Sequence, residues 1–422
     1  MGPNVIAAVN GPLWKSLHHM MGPSFSPVTV KAQIPTIVEH ATVFHEKLRQ
    51  AVETGKPFSL VDLTTSDVIS AMVLGFSLQA QNNGCSPLLE DYKTLFSLAQ
   101  PYMDAWNPLT KFKLWRTMRG ARKRTDAYVH KELQSKYRLY RGSDAVPTRK
   151  TARSVLDRMV VQKIEETGDA APYLDQAFLK LVTPNLNGLL AGGQGTTADA
   201  LTYTYLLLSL HPAILSRLRS EHASLFPPTL TDTTTHMLSH PHLTSSSSLP
   251  YTTAILKETL RLFPAGFTPR EAPPDTSHLH FNGTSYPVAG KMVIPNQHAL
   301  HFDSTHFLPD RSLEEYEPKA HRFTWRPFER GLRSCIRQEM AMEEMRTALV
   351  LTVRWFDLEP DLEGVKGKGE GKVRFSDLDE VVGDAAWQEM GLGASPRGEV
   401  WMRGWYRGEL GGDGGEVGDG EE

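Results

Sequence analysis

Through its first two thirds the chain repeats one pattern: apolar residues three and four positions apart, cut at intervals by proline or glycine. That period is the helical one, and it leaves little room for a fold built mainly on sheets. Residues 35–55, "PTIVEHATVFHEKLRQAVETG", predict an amphipathic helix that stops at a glycine. Residues 62–78 predict a mostly buried helix with Thr, Ser and Asp at its start, and 153–166 predict another. A longer helical stretch runs from about Leu174 to Leu210, with Pro184 expected to kink or restart it. His211-Pro212 ends that stretch and a further helix reaches about Leu225. Residues 227–249, rich in Thr, Ser, Pro and His, read as a surface loop of low complexity. "YTTAILKETLRLFP" is helical up to Pro264, and short strand-like pieces follow at 278–282 and 291–295. Residues 302–333 lack clear periodicity, and 338–356 predict a last strong helix. The expected fold class is mainly α, an α+β fold with a small β region. Residues 1–405 read as one domain and 406–422 as a disordered Gly-rich, acidic tail.

Composition narrows the function classes. A chain of 422 residues with 40% hydrophobic and 22% charged residues can bury a sizeable core. A net charge of -3 gives no general reason to expect nucleic acid. The two cysteines, Cys85 and Cys335, are far apart and show no metal-ligand spacing, which argues against a disulfide framework and for a reducing compartment. Cys85 reads as a small hydrophobe in a loop. The N-terminus lacks a signal peptide, and nowhere does the chain hold the roughly 18 apolar residues that a membrane span needs. Residues 111–124, "KFKLWRTMRGARKR", are strongly basic. They read as a solvated helix face or, more sharply, as a surface for anionic lipid or an acidic partner.

Candidate chemistry concentrates at Phe328-Glu329-Arg330-Gly331-Leu332-Arg333-Ser334-Cys335-Ile336-Arg337. A cysteine stands here in a Gly- and Arg-rich loop just before a helix, and helix N-termini and cations in general favour thiolate over thiol. A nucleophilic cysteine wants a base; no histidine is adjacent in sequence, although a distant one could serve. A ligand cysteine wants companions, and none lie near. A single axial thiolate on a metal that brings its own equatorial ligands, a heme, meets that description. Elsewhere, Gly193-Gln194-Gly195-Thr196-Thr197-Ala198 fits the dinucleotide pattern G-x-G-x-x-A. Its context is wrong for that use: no Val/Ile strand precedes it, and Glu221 is the nearest candidate for the required acid. The competing reading is one buried helix in which small residues make room for something pressed against it.

The stretch "WRPFERGLRSCIRQEMAMEE" resembles the cytochrome P-450 heme signature F-x-x-G-x-R-x-C-x-G in its fungal form. The resemblance implies that Cys335 is the proximal iron ligand, that Phe328 packs beside the thiolate and that Arg333 reaches a heme propionate. Arg337 replaces the final glycine, and an arginine there is expected to swing outward or move the helix. Glu258-Thr259-Leu260-Arg261 resembles the family's E-x-x-R, a buried pair completed by an arginine; Arg311 of "FLPDRS" is the candidate, with Arg322 as the other. Trp14-Lys15-Ser16-Leu17-His18 is similar to the W-x-x-x-R helix that touches a propionate, with histidine in place of arginine. Arg270 stands where the family places another propionate arginine, and His301 follows a structural pattern. Gly192-Gly193-Gln194-Gly195-Thr196-Thr197 resembles the oxygen-binding motif A/G-G-x-D/E-T-T. By that likeness Gly192 and Gly193 open a groove over the cofactor and Thr196 hands on protons. The usual acid is Gly195, so proton delivery falls to water, Gln194 or Asp199.

The resemblance spans nearly the whole chain and implies a triangular helical prism with a small β region, holding heme b. It further implies on the order of a hundred residues ahead of the Trp14 helix, including a membrane anchor, so the chain reads as N-terminally incomplete. The implied activity is a fungal-type heme-thiolate monooxygenase of secondary metabolism, taking dioxygen, an apolar small molecule and electrons from an NADPH-dependent reductase. The implied location is the endoplasmic reticulum membrane or, with the anchor absent, a soluble or peripheral state. Gly195 and Arg337 leave two alternatives: a remnant with weak or no heme binding, or a heme-thiolate enzyme that rearranges its substrate without oxygen.

Overall fold

The computed structural model describes residues 4–63, 67–78, 86–141, 143, 146–149, 151–167, 172–266, 269–273, 275–294, 325–361, 388–390, 394–396 and 400–408. Cys85, His301, Arg311, Arg322 and the tail beyond Gly408 lie outside the described residues. The chain opens with α1 (Gly11–Met21), α2 (Pro27–Ala32) and α3 (Ile34–Glu53). Ser26 caps α2 by accepting from the Thr29 N–H, and Pro27 occupies the first turn, where no N–H is missed. Along α3, Ile34, Ile37, Val38, Ala41, Phe44 and Leu48 are buried, the expected stripe, and Gly55 leaves the helix with φ +64°.

The helix predicted over 62–78 is described as α4 (Leu60–Leu63) and α5 (Asp67–Leu74). It stops short of residue 78 because Gly75 takes φ +86°, with Ser154 and Asp157 pressed close against it. Then come α6 (Pro87–Ser97), α7 (Ala99–Asp104), α8 (Pro108–Arg141) and α9 (Val155–Thr167). In α8 the buried residues Ala121, Thr125, Val129, Leu133 and Tyr137 recur every fourth position, while the basic residues around them face outward.

The stretch from Leu174 to Leu210 divides at Gly195, into α10 (Gln176–Gln194) and α11 (Thr196–Leu210), and not at Pro184. Pro184 lies inside α10, where its missing N–H deprives the Lys180 carbonyl; Lys180 is exposed, so water can serve that carbonyl. α12 (Pro212–Leu225) follows. Residues 227–249 are not a plain loop: they carry α13 (Leu230–Ser239) and a short 3-10 turn, Pro241–Thr244. Thr229 accepts from the Asp232 N–H at 3.1 Å and donates to the Asp232 carboxylate at 2.8 Å, a reciprocal cap, and Thr233 and Met237 bury the inner face. Next come α14 (Pro250–Leu262) and α15 (Gln338–Val350). The last helix ends at Val350 and not at 356, as Arg219 donates to the Val353 and Phe356 carbonyls at 2.7 and 2.9 Å and holds the departing chain.

The β structure is small. β1 (Phe58–Ser59), β9 (Trp401–Tyr406) and β6 (Phe356–Pro360) form an antiparallel sheet in the order β1-β9-β6. β2 (Arg270–Glu271) pairs with β5 (Met292–Val293), β3 (His278–Phe281) with β4 (Thr284–Pro287), and β7 (Gln388–Met390) with β8 (Ala394–Pro396). The β3–β4 hairpin turns at Asn282-Gly283, both left-handed at φ +47° and +76°, so β4 joins the strands expected at 278–282 and 291–295. No helix among the described residues is long and apolar enough to cross a membrane.

Two main apolar cores share the central helices. Leu179, Val182, Leu186, Leu190 and Ala191 of α10 pack with α5, α8 and α9 in one core. Ala200, Leu201, Tyr203, Leu206 and Leu208 of α11 pack with α14, α15 and the β6–β9 sheet in the other. The glycine segment 192–195 lies where the chain passes from one core to the other, and α15 divides likewise, Met340 in the first core and Met342 in the second. The candidate site occupies that junction.

Candidate active site

A cavity of about 400 Å³ opens between the Cys335 loop and the α10–α11 junction. Gly192, Gly193, Thr196 and Thr197 line one side; Pro327, Phe328, Glu329, Arg333 and Cys335 line the other. Met340, Ala341 and Glu344 of α15 close a third side, with Ala7, Ala265 and Gly266 at the margin. Ala265, Gly266, Met340 and Glu344 carry no signal in the sequence patterns; only the fold brings them to the cavity.

The cysteine loop is a tight backbone construction. Cys335 N–H donates to the Phe328 carbonyl at 2.8 Å, Ser334 N–H to Gly331 at 3.0 Å, and Gly331 takes φ +80°. This turn leaves the Cys335 thiol free and exposed, facing the cavity three residues ahead of α15. Trp325 Nε1 donates to the Lys257 carbonyl at 3.0 Å, which fastens the start of the loop to α14. On α14, Arg261 grips Glu258 with two bonds, Nε to Oε2 at 2.8 Å and Nη2 to Oε1 at 2.6 Å. Their side chains are only 11% and 13% exposed, so this is a packed pair and not a surface one.

Cations crowd one edge. Arg333 donates to the Ile6 and Val9 carbonyls at 3.0 and 2.6 Å and to the Asn10 side chain, with its guanidinium 4.6 Å above the Trp14 ring. Burial, and then the neighbouring Arg270, push the Arg333 pKa below its ordinary value, as expected where two guanidiniums stand close. Arg270 reaches Glu329 at 3.5 Å, and Arg326 donates to the same carboxylate at 2.7 Å. His18 packs against Trp14 with the rings tilted by 36° and their centroids 5.0 Å apart. Neither Trp14 nor His18 is among the residues that line the cavity; Trp14 reaches it through Arg333.

At the junction, Thr196 Oγ1 donates to the Gly192 carbonyl at 3.2 Å. Gly195 has φ -96° and ψ -37°, an ordinary helical conformation, and a Cβ there would meet Asp199 Oδ2 at a comfortable 3.7 Å. Gly193 differs, because a Cβ would strike Ile69 Cγ1 at 2.7 Å and collide with Arg337 Nη1. Gln194 ends α10, but its side chain lies outside what the structure describes. Glu221 has no part in this site: its carboxylate accepts from the Tyr251 and Thr252 N–H groups at 2.7 and 2.9 Å, capping α14.

Arg337 departs from expectation. It neither swings outward nor opens the helix; its side chain runs into the cavity, where Nη1 donates to the Leu189 carbonyl at 3.1 Å. Burial lowers its pKa, while Cys335 and Glu344 pull it the other way. The physical reason is that α10 offers there a free carbonyl lone pair, the negative end of its dipole, and two glycines that leave space. Burial also pushes the Glu344 carboxyl up to about 7, against the pull of Arg337.

Among the described residues no three His, Cys, Asp or Glu side chains gather to hold a metal ion. The Cys335 thiol faces a mainly apolar wall, as suits a metal that carries its own ring of ligands, with Arg333 in the lining and Arg270 beside it for acidic substituents. These residues fit heme b, apart from Arg337, which stands in the space between the thiol and the glycines.

A sequence model of the cytochrome P450 family matches residues 2–375, most of the chain. The chain belongs to that family, whose cofactor is heme b, and is a cytochrome P450 monooxygenase. It is similar to the cytochrome P450 monooxygenase acrF of Aspergillus aculeatus, 28% identical over 434 residues that cover 95% of this chain and 84% of the relative. The cytochrome P450 monooxygenase polC of Polytolypa hystricis is 28% identical over 421 residues, 94% of this chain and 71% of the relative. Human cytochrome P450 3A7 is 24% identical over 381 residues, 85% of this chain and 70% of the relative.

Proposed function

We propose that this enzyme hydroxylates or otherwise oxidises an apolar small molecule of fungal secondary metabolism, with electrons from an NADPH-dependent reductase. The observation that carries the reading is the Cys335 thiol facing Gly192, Gly193, Thr196 and Thr197 across one mainly apolar cavity. Bound heme supplies the one-electron and oxygen chemistry. The chain's own residues supply the rest. Cys335 would hold the heme iron through its thiolate, with Phe328 beside it on the cavity wall. Arg333 and Arg270 take the carboxylates at the cationic edge, with Trp14 and His18 bracing Arg333 from outside. Glu258 and Arg261 keep α14 rigid behind the loop. Gly192 and Gly193 admit the ring, and Thr196 holds a proton at Oγ1 at the helix junction. With glycine at 195, Asp199, one turn on, is the nearest carboxylate on that helix face, and water carries the proton between them.

The test is turnover of the full chain loaded with heme, supplied with a fungal reductase, NADPH and a panel of apolar probes. We expect NADPH-dependent product, and we expect Thr196→Ala to keep NADPH consumption while product falls by about tenfold or more, as loss of a positioned proton donor does. Product formed without NADPH or oxygen would favour rearrangement instead.

Peripheral contact with a membrane is part of the proposal. Between Ala105 and Thr125 stand seven Lys and Arg and no Asp or Glu. Trp106, Leu109 and Phe112 at the start of α8 are 91%, 73% and 57% exposed. Aromatic and basic side chains on one protruding helix end suit the surface of an anionic bilayer. Sedimentation with phosphatidylserine vesicles should carry the chain down, and Phe112→Asp with Leu109→Asp should release it; equal binding by that variant would refute the contact.

A further inference from the structure

Arg337 precedes α15 and spans the cavity to α10, where it donates to the Leu189 carbonyl at 3.1 Å. Its guanidinium fills the space beside Gly193 that a Cβ would enter, and its Nη2 lies 3.4 Å from the corresponding point at Gly192. Four features hold the cation there: a carbonyl lone pair, the negative end of the α10 dipole, the Cys335 sulfur, and the Glu344 carboxyl two turns along α15 on the same cavity wall. The arm thus joins the helix that follows Cys335 to the helix opposite, through the ground that a flat ring between thiol and glycines must occupy. A ring and a guanidinium cannot share that ground.

Resting on the heme-thiolate reading, we propose that Arg337 is a latch on the cofactor site. In the heme-free chain it ties α15 to α10 and occupies the ground between the thiol and the glycines; heme is held only once the guanidinium has left the Leu189 carbonyl. Heme binding is therefore weakened by the free energy of the charged hydrogen bonds that hold the arm. The same bonds firm the heme-free fold.

Heme titration of the full-length, heme-free chain, followed by Soret absorption, tests this, together with the thermal midpoint of the heme-free protein. Arg337→Gly should bind heme about tenfold tighter or more than the wild type, and its heme-free form should melt at a lower temperature. Arg337→Lys keeps the charge without the planar fork and should fall between them, which guards against a folding defect in the glycine variant. Equal binding by all three chains, or heme uptake by none, would overturn the latch. Weaker binding by Arg337→Gly would also overturn it, making the arginine an anchor for cofactor carboxylates. Failure of the underlying reading looks different: Arg337→Gly would then take up heme more tightly, yet replacing Cys335 by serine in that variant would leave the Soret band unchanged.

Discussion

Glu329 sits at φ +58°, a conformation that favours glycine, inside the loop that presents Cys335. Holding a non-glycine residue there costs on the order of 1 kcal/mol or more. The cost is offset by its carboxylate, which is buried and accepts from Arg326 at 2.7 Å while Arg270 stands 3.5 Å away. Charge pairing of this kind recurs behind the loop, where the Glu258–Arg261 pair is nearly sealed from water. Glu258→Ala removes two charge-assisted bonds from a packed setting, so it should lower the unfolding free energy by about 2 kcal/mol. Denaturant melts of the heme-free chain measure it; a loss of ~0.5 kcal/mol or less would mean an ordinary surface pair. Residues of this kind are legible in sequence because their spacing, i and i+3, already puts them on one helix face. The direction of Arg337 was not legible. Sequence shows an arginine where a glycine is expected, but whether it turns out or in depends on what α10 offers across the cavity, and only packing brings α10 there.

At the scale of elements, legibility followed the strength of local signals. α3, α9, α12 and α14 announce themselves by apolar period and proline or glycine stops. α13 is hidden in a run of Thr, Ser and His, although its T-x-x-D cap and buried Thr233 and Met237 are the marks of a short amphipathic helix. The division of α10 from α11 falls at Gly195 because the two halves belong to different cores, a fact no local period carries. The joint of α12 with α14 has a titratable consequence. His222 of α12 is buried, its Nε2 2.8 Å from Thr252 Oγ1 of α14, and burial, then Arg354, push its pKa down to about 3. In the unfolded chain that histidine protonates near its ordinary 6.5. Its folded pKa is the lower one, so its contribution is complete above pH 6.5 and is lost as the pH falls toward 3. By pH 5 the loss is about 2 kcal/mol. Unfolding free energies measured between pH 7 and 4 should show this decline, and His222→Gln should flatten it; an unchanged slope in the variant would assign the decline to other groups.

The two larger apolar cores are joined by one long helical passage, with the cavity at the joint. That arrangement lets a glycine segment cost little: small residues would weaken a helix inside either core, but at the passage between them they leave space for a third body. The general plan, helical with a small β region, was legible from period and composition. The site was legible in its parts, the Cys335 loop and the glycine segment, 140 positions apart if counted from Gly195 to Cys335. Their meeting across one cavity needed the fold. The most direct test of the account is the absorption difference spectrum of the purified, heme-loaded chain, reduced and exposed to carbon monoxide, beside Cys335→Ser. The account predicts the red-shifted Soret band of a thiolate-ligated heme in the parent chain and its loss in the variant. A parent spectrum without that band, or one that the serine variant reproduces, would contradict it.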